Sequence, residues 1–292
     1  MNTRTLQYFL ALADHLHFGQ ASNACHISIS ALSRNIRQLE EELGVNLFNR
    51  DNRSVTLTKA GLKFRQYARE ATNEWNTIRH DLSGHSGQLH GEISLYGSVT
   101  AIYSILFDLL NQLRTRHPGI EIKLHTGGPE HAIARVFEGK EEISIAAHPG
   151  TLPRGLAFKP ITVSPLLFIA PLENSDFGLP ALPPASPQQW ADVPMILAEG
   201  GISRNRIDAF FSTMGVSPRI YAQVAGNEAI VSMVSLGLGV GVVPEIVLEY
   251  SPMADKIRVL EVQPELEPYH IGLFTLNKHL KNPLVEAFWE LV

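Results

Sequence analysis

The stretch that most constrains the fold of this 292-residue chain runs from Phe18 to Thr58. Small residues near its start, in the run ASNAC, allow a short helix to lie close to its neighbour. A longer helix follows, because an apolar stripe recurs at helical spacing, at Leu32, Ile36, Leu39 and Leu43. After Gly44 the pattern changes to a period of two around an Asp-Asn-Arg tip, which predicts a small hairpin, or wing.

The longer helix has a polar face opposite its apolar stripe. Ser28 precedes it and can cap its first turn, since a Ser side chain accepts a hydrogen bond from a free backbone N–H. Such a face is often only solvated, but hydroxyls and arginines near the helix start, with a basic wing beyond, fit the major groove of DNA better. We expect Arg34 to read a guanine edge, the others to hold mostly phosphates, and the acids at 40–42 to face away. The predicted DNA contacts are Ser28, Ser30, Ala31, Ser33, Arg34, Arg37, Arg50 and Arg53.

A long helix is predicted over residues 59–83, with Thr58 as its cap. Its apolar residues alternate at spacings of four and three, which is typical of a seam between two helices. One side of an ordinary packed helix is the alternative, but Trp75 would then stay uncovered, so the pattern favours a homodimer. The predicted dimerisation residues are Phe64, Ala68, Ala71, Trp75, Ile78 and Leu82. A soft hinge follows at residues 83–87.

The composition narrows the class of protein. Hydrophobic residues make up 45% and charged residues 18%, which is typical of a soluble globular protein, and the length predicts two or three domains. Residues 1–90 carry a formal charge of +2 and the remainder −7, so a mildly basic head precedes an acidic body. The single cysteine, Cys25, excludes an internal disulfide, and no apolar run marks a signal peptide or a membrane span. We therefore expect a cytoplasmic protein.

From residue 91 onward strands and helices alternate, as in α/β folds. Residues 91–162 and 268–292 form one predicted lobe, and residues 163–267 form the other. The predicted domains are a winged helix-turn-helix DNA-binding domain over 1–58, a linker and dimerisation helix with its hinge over 59–87, and an effector-binding domain over 88–292. Two lobes joined by two crossings enclose a cleft, where sheets of this kind bind ligands.

Two patterns that imitate known sites fail on context. The glycines at 237–241 imitate a dinucleotide fingerprint, but a helix precedes them and a strand follows, the reverse of the required order. His80, His85 and His90 recur every five residues, whereas metal ligands on a helix prefer spacings of three or four. No Ser-His-Asp or paired-carboxylate arrangement can be assembled. We expect no enzyme activity, no metal and no cofactor.

Several motifs together resemble one family. FGQASNACHIS, ALSRNIRQLEEELGVNLFNRDNRSVTLTKAG and GVGVVPE in one chain look like the LysR-type transcriptional regulators. The resemblance covers the whole length and implies an α/β fold with an N-terminal winged helix-turn-helix, a long linker helix and a two-lobed effector domain of the periplasmic-binding-protein type. It also implies a dimer of dimers on a double-stranded DNA operator, contact with RNA polymerase, and an effector that alters the spacing of the heads.

Fold and family together place the effector in the cleft between the lobes. The candidate residues lie where strands end or helices begin, at Ser98, Thr100, Thr126, Gly127, His148, Ser203, Arg204 and Asn227. Helix N-termini and Arg204 would neutralise a carboxylate, while hydroxyl and amide side chains would bond the other oxygens. Simple helix capping is the alternative for Ser98 and Thr100, and Arg206 is the competitor of Arg204.

A closer resemblance within the family concerns the effector. SVTAIYS, HPGIEIKLHTGG, GNEAIVSMVSLGLGVGVVPEIVLEYSP and NPLVEAFW resemble the regulators of branched-chain amino-acid biosynthesis. This resemblance implies an activator that responds to a small anionic inducer such as 2-acetolactate or 2-aceto-2-hydroxybutyrate. The alternatives are a regulator of another pathway with a different organic-acid effector, and a small-molecule sensor that does not bind DNA.

Overall fold

A computed structural model describes residues 2–51, 54–82, 89–172, 183–184 and 186–292. Arg53, a predicted DNA contact, and the predicted hinge at 83–87 lie outside the described residues. The predicted fold class is confirmed, because a winged helix-turn-helix head precedes a mixed α/β body and a long helix joins the two.

The head consists of three helices and a two-stranded wing. They are α1 (Thr3–His15), α2 (Phe18–Ala24), α3 (Ile29–Leu43), β1 (Phe48–Arg50) and β2 (Val55–Leu57). Ser28 caps α3 as predicted, because its Oγ accepts a hydrogen bond from Ala31 N at 3.2 Å. Gly44 ends α3 with φ at +69°, a left-handed conformation in which a residue with a Cβ would be strained. The core of the head contains Phe9, Leu12 and, from the predicted stripe of α3, Leu32, Ile36 and Leu39. Leu43, the last residue of the predicted stripe, is exposed instead.

The linker helix α4 (Lys59–Leu82) begins at Thr58, whose Oγ1 accepts a hydrogen bond from Gly61 N at 2.9 Å, as the predicted cap requires. The first half of α4 belongs to the head. Phe64 packs edge-on against Phe9, with 4.8 Å between ring centroids, and Ala68 is fully buried beside them. The linker helix therefore starts as part of the head core.

The second half of α4 faces solvent, with Trp75 50% exposed and Leu82 84% exposed. The prediction of one continuous dimerisation seam therefore needs correction at Phe64, Ala68 and Ala71, which contact the core of their own chain. The heptad pattern could not separate the two halves, because an apolar face against α1 and an apolar face against another chain have the same spacing.

The body contains the remaining strands and helices. Its strands are β3 (Gly91–Gly97), β4 (Ile120–Thr126), β5 (Ile143–Ala147), β6 (Leu156–Pro171), β7 (Pro194–Ala198), β8 (Arg219–Val224), β9 (Val240–Pro244), β10 (Ile257–Leu260) and β11 (Leu266–Leu276). Its helices are α5 (Val99–Ala101), which continues through a π-helical segment (Ile102–Leu106) into α6 (Phe107–Arg116), then α7 (Ala132–Phe137), α8 (Gly201–Thr213), α9 (Asn227–Ser235), α10 (Glu245–Glu249) and α11 (Pro283–Trp289). A short 3-10 turn (Pro129–His131) precedes α7.

The strands of the body form a mixed sheet in the order β4-β3-β5-β11-β6-β9-β7-β8, with β10 beside β6. Strands β6 and β11 are antiparallel neighbours at its centre. Strands β3, β4 and β5 lie beyond β11 and form lobe 1, whereas β7 to β10 lie beyond β6 and form lobe 2. Strand β6 begins at Leu156 and runs across the predicted lobe boundary at residues 162–163. Pro160 fits within it because the pairing register shifts opposite Ile271 and Gly272.

Charged contacts hold the linker helix against lobe 1. Arg65 Nη2 donates to Glu138 O at 2.7 Å, and Arg69 Nη1 donates to the carbonyl two residues further on, also at 2.7 Å. Both guanidinium groups thus bind the backbone just after α7. Asp14 of α1 pairs with Arg69 and with Lys123 of β4. Burial lowers the pKa of Arg65 to about 10. Lobe 1 therefore fixes the position of the head.

Candidate functional site

Helix α3 presents its polar face to solvent beside the wing. Four of the predicted DNA contacts on or just before α3 are exposed: Ser28, Ser30, Arg34 and Arg37. The other two, Ala31 and Ser33, are half-buried. Arg37 Nε pairs with Glu41 Oε1 at 3.0 Å, one helical turn away. Arg34 makes no ion pair or hydrogen bond through its side chain with any residue that the structure describes. Its guanidinium donors are thus available for a partner outside the chain.

A buried carboxylate joins α3 to the wing. Glu40 is 8% exposed, and its Oε1 accepts hydrogen bonds from Leu47 N at 2.8 Å and Phe48 N at 3.0 Å. Its Oε2 pairs with Arg50 Nη2, and the Arg50 guanidinium lies over the Phe18 ring, 5.3 Å from the centroid. The sequence predicts only that Glu40 faces away from DNA, and misses this role. Arg50, a predicted DNA contact, is held by partners within the chain and keeps the wing against α2 and α3.

The two lobes enclose a cavity of about 150 Å³. Lobe 1 contributes the 3-10 turn and the end of β5, and lobe 2 contributes the first turns of α8 and α9. Among the predicted effector residues, Ser203 and Asn227 line this cavity. Two lining residues that the sequence did not predict are Glu130 of the 3-10 turn and Tyr269 of β11.

The cavity offers hydrogen-bond donors without a cationic side chain. Helices α8 and α9 begin there after Gly200 and Gly226, so their first backbone N–H groups have no side-chain cap. Helix N-termini carry partial positive charge and bind carboxylates. No Arg, Lys or His is among the described residues that line the cavity. Burial raises the pKa of the Tyr269 hydroxyl, and the neighbouring Ser203 and Arg206 offset part of that rise.

Two arginines considered for the effector carboxylate have partners on the protein. Arg204 Nε pairs with Asp208 Oδ1 at 2.9 Å, one helical turn further along α8. Its competitor Arg206 pairs with Glu267 at 3.0 Å and lies over the Tyr269 ring, 5.3 Å from the centroid. Neither guanidinium lines the cavity, so the backbone N–H groups of the helix starts are the positive groups that remain there.

Four further predicted effector residues also lie outside the cavity lining. Ser98 caps α5, because its Oγ accepts a hydrogen bond from a backbone N–H of that helix at 3.2 Å, which is the alternative that the sequence left open. Thr126 and Gly127 are exposed at the end of β4. The His148 ring packs against Phe158 at 4.7 Å between centroids. The structure thus does not bring these residues together with Ser203 and Asn227.

A contact across the cleft occupies Thr100. Its backbone N and its Oγ1 donate to Glu228 Oε1 at 3.0 and 2.6 Å. Thr100 lies on α5 of lobe 1 and Glu228 in the first turn of α9 of lobe 2, so this carboxylate joins the lobes. The sequence held one signal for Glu228, an acid in the first turn of a predicted helix. Its partner lies 128 residues away, and no local pattern shows that.

The glycines at 237–241 have a packing role. Helix α9 precedes them and β9 follows, as predicted, and a Cβ on Gly239 would lie 2.3 Å from Pro194 O. In the part of the chain that the structure describes, no group of three His, Cys, Asp or Glu side chains is arranged to hold a metal ion. No described helix is long and apolar enough to cross a membrane.

Family models and relatives cover the whole chain. A model of the LysR substrate binding domain matches residues 86–292, and one of the bacterial regulatory helix-turn-helix proteins of the lysR family matches residues 3–62. The chain is 41% identical to the HTH-type transcriptional activator IlvY of Salmonella typhimurium, over 100% of this chain and 99% of that protein. It is 38% identical to the activator IlvY of Haemophilus influenzae, over the full length of both.

Solved structures agree on the fold. Full-length OxyR from Pseudomonas aeruginosa, as a point variant, superposes with a TM-score of 0.66 at 22% identity, covering 100% of this chain and 94% of that one. Full-length CbnR in complex with its target DNA gives a TM-score of 0.61 at 22% identity, covering 100% and 99%. The helix-turn-helix head, the linker helix and the two-lobed body thus recur together. The chain belongs to the LysR family of bacterial helix-turn-helix transcriptional regulators.

Proposed function

We propose that this regulator activates the transcription of genes for branched-chain amino-acid biosynthesis in response to a small organic acid bound between its lobes. The observation that carries the proposal is its 38–41% identity to IlvY activators across their full length, which extends over the head and the effector domain alike. No cofactor takes part in the proposed function, and the protein acts in the cytoplasm.

DNA is bound by α3 and the wing in this proposal. Arg34 reads a guanine in the major groove, since its side chain is exposed and has no partner among the described residues. Ser28, Ser30 and Arg37 hold phosphates beside it. Glu40 and Arg50 do not contact bases but fix the wing at the correct angle to α3.

The effector is 2-acetolactate or 2-aceto-2-hydroxybutyrate, each of which carries a carboxylate, a hydroxyl and a ketone. A cavity of about 150 Å³ suits molecules of this size better than larger ligands. The uncapped first turns of α8 and α9 neutralise the carboxylate, while Ser203 and Asn227 bond the remaining oxygens. Because both lobes line the cavity, a bound acid can alter the position of one lobe relative to the other.

The regulator acts as a dimer of dimers, with RNA polymerase as a further partner. The exposed second half of α4 supports the first association step, since Trp75, Ile78 and Leu82 form an apolar strip that their own chain leaves uncovered. Two heads then share one operator, and the lobes of each subunit set the distance between them through α4 and its contacts with lobe 1.

Calorimetric titration of the full-length protein with 2-acetolactate and 2-aceto-2-hydroxybutyrate tests the proposal. We expect binding of at least one compound, and about three- to ten-fold weaker binding by Ser203→Ala, the range for loss of one hydrogen bond. Ser212→Ala, at an exposed position of the same helix, is the matched control and should bind like the unmodified protein. Heat with neither compound, but heat with an unrelated organic acid, would contradict the pathway and leave the family assignment intact.

A further inference from the structure

A carboxylate of the protein itself is bound by donors at the edge of the effector cavity. Glu228 Oε1 accepts two hydrogen bonds from Thr100, one from the backbone N at 3.0 Å and one from Oγ1 at 2.6 Å. Thr100 is 6% exposed, so these donors lie away from bulk water. A single oxygen atom of lobe 2 therefore satisfies both donors of a buried residue of lobe 1.

The second carboxylate oxygen lies over the start of its own helix. Glu228 Oε2 is 3.2 Å from the position that a Cβ on residue 226 would take, and Gly226 has φ at +85°. A side chain at this position would crowd the carboxylate and strain the backbone. Glu228 makes no ion pair with any residue that the structure describes. Its charge is balanced by hydrogen-bond donors and by the N-terminus of α9, which are the groups that a carboxylate ligand also needs.

The contact adjoins the cavity directly. Gly226 and Asn227 line the cavity, and Glu228 is the next residue along the chain. Glu228, which carries the internal carboxylate, and Asn227, which lines the cavity, thus share the first turn of α9. A ligand carboxylate that reaches Thr100 would have to take the place of Glu228, since Thr100 Oγ1 and N both donate to that one oxygen.

We propose that Glu228 is a specificity-determining residue which competes with the effector for Thr100, so that only a ligand bringing its own carboxylate can release the contact between the lobes. This rests on the proposed function, in which an organic acid binds in the cavity. An acid replaces one carboxylate by another: with its carboxylate at the first turn of α9, one of its oxygens accepts from Thr100, and the Thr100 donors stay satisfied. A neutral ligand leaves the contact in place, because displacement of Glu228 would strand two buried donors.

Through this competition, ligand binding changes the contact between the two lobes. In the free protein the Thr100 position is occupied by Glu228, so the apparent affinity for an acid is reduced by the fraction of molecules in which the contact is closed. Once the acid is bound, Glu228 no longer holds lobe 2 to lobe 1, and the ligand itself sets their separation. The difference in ligand affinity between the closed and open states then arises from one pair of residues, Thr100 and Glu228.

Hydrogen exchange and calorimetry on the full-length protein test the proposal with three proteins: the unmodified chain, Glu228→Ala, and Glu249→Gln, which removes one charge from an exposed position of lobe 2. Without ligand, we expect the amides of residues 98–104 to exchange about ten-fold faster in Glu228→Ala, the effect of losing charge-assisted hydrogen bonds. We also expect 2-acetolactate to bind Glu228→Ala about ten-fold more tightly, and acetoin, which lacks the carboxylate, to bind neither of the two proteins that keep Glu228.

Three results would overturn the proposal: unchanged exchange in Glu228→Ala, weaker binding of 2-acetolactate by Glu228→Ala, or acetoin binding the unmodified protein as tightly as 2-acetolactate. Glu228→Gln keeps the shape of the side chain and should give intermediate exchange, so it decides the matter if Glu228→Ala does not fold. Failure of 2-acetolactate to bind any of the proteins contradicts the proposed function instead. The exchange rates without ligand then still decide whether Glu228 joins the lobes.

Discussion

The head presents the side chains that we propose to read DNA from one helix, whereas the cleft joins Thr100 to Glu228, which lie 128 residues apart in the chain. In the head, Arg34 projects into solvent and depends only on the periodicity of α3. In the cleft, the cavity and the contact beside it exist only while the two lobes keep their relative position.

The difference determines which region can respond to a small molecule. We expect the head to behave as a rigid unit, because its helices and wing share one core. Contacts between lobes can be exchanged for contacts with a ligand, so the cleft can exist in two states. Helix α4 connects the two regions, and its Arg65 and Arg69 are bound to the backbone of lobe 1. We expect a change in the cleft to reach the head through these contacts.

The largest effect is expected for Glu40→Ala, which tests whether contacts within the head hold the wing against α3. Loss of Glu40 leaves Leu47 N and Phe48 N without an acceptor and Arg50 without its ion pair, which costs about 3 kcal/mol of unfolding free energy. Urea unfolding followed by circular dichroism measures the loss. Glu41→Ala, which removes only an exposed ion pair, is the control and should change stability by less than about 0.5 kcal/mol. Equal losses in both variants would contradict the role of Glu40.

Two substitutions on α4 distinguish its first half, which belongs to the head core, from its exposed second half. Phe64→Ala should lower the unfolding free energy of the head by about 2 to 3 kcal/mol, because it removes a ring packed against Phe9. Trp75→Ala should leave that stability nearly unchanged and weaken self-association, since Trp75 is half exposed within its own chain. Sedimentation velocity at several protein concentrations measures the association. A Trp75→Ala protein that associates as tightly as the unmodified one would show that the second half of α4 is not the dimer contact.

Arg34→Ala should weaken operator binding by about 2 kcal/mol, or about thirty-fold, and relax the preference at one base pair. Arg37→Ala should lose less, because Arg37 already pairs with Glu41 and is expected to hold only a phosphate. Gel shifts on the operator and on a site with the contacted base pair exchanged measure both effects. Full affinity in Arg34→Ala would mean that α3 reads DNA through other side chains. Neither substitution should alter ligand binding in the cleft.

The smallest effect is expected from His279, which is 5% exposed in lobe 1. Burial, with a smaller effect of Lys278, lowers its pKa, so the folded protein keeps it neutral while the unfolded chain takes up a proton near pH 6.5. Stability is therefore lost as the pH falls from about 7 to 5, by at most about 1.4 kcal/mol per pH unit. The raised pKa of the buried Glu142 has the opposite effect, because it stabilises the protein as the pH falls. The contribution of His279 is therefore measured by comparing thermal unfolding of His279→Gln and of the unmodified protein across this pH range. If the stability of both proteins depends on pH in the same way, the effect does not come from His279.

Local patterns predicted the head better than the cleft. The caps at Ser28 and Thr58 and the apolar stripe of α3 follow from short-range spacing. Both caps are present, and the stripe is buried at all its predicted positions except Leu43. The acceptors that Glu40 supplies to the wing, and the carboxylate that Glu228 supplies to Thr100, depend on backbone groups brought near by folding. Such pairings leave no periodic signal, because a polar residue has the same spacing whether its partner is water or a distant N–H group.

In helix α8, the sequence pattern likewise did not predict the partner of a charged side chain. An arginine at the start of a helix that faces a cleft is a sound candidate for binding an acid, but Asp208 one turn later takes up Arg204. A matching carboxylate four residues along is visible in the sequence, and i to i+4 pairing could have predicted the loss of Arg204 from the site. No cation is among the described lining residues, so we propose that the helix starts bind the acid.

We propose that an acid bound in the cleft changes how the heads contact DNA. Footprinting of the operator by the full-length protein, with and without saturating 2-acetolactate, tests it most directly when calorimetry confirms occupancy. We expect the ligand to shift the spacing between the protected segments while the contacts that depend on Arg34 persist. Footprints that stay identical at full occupancy would contradict it.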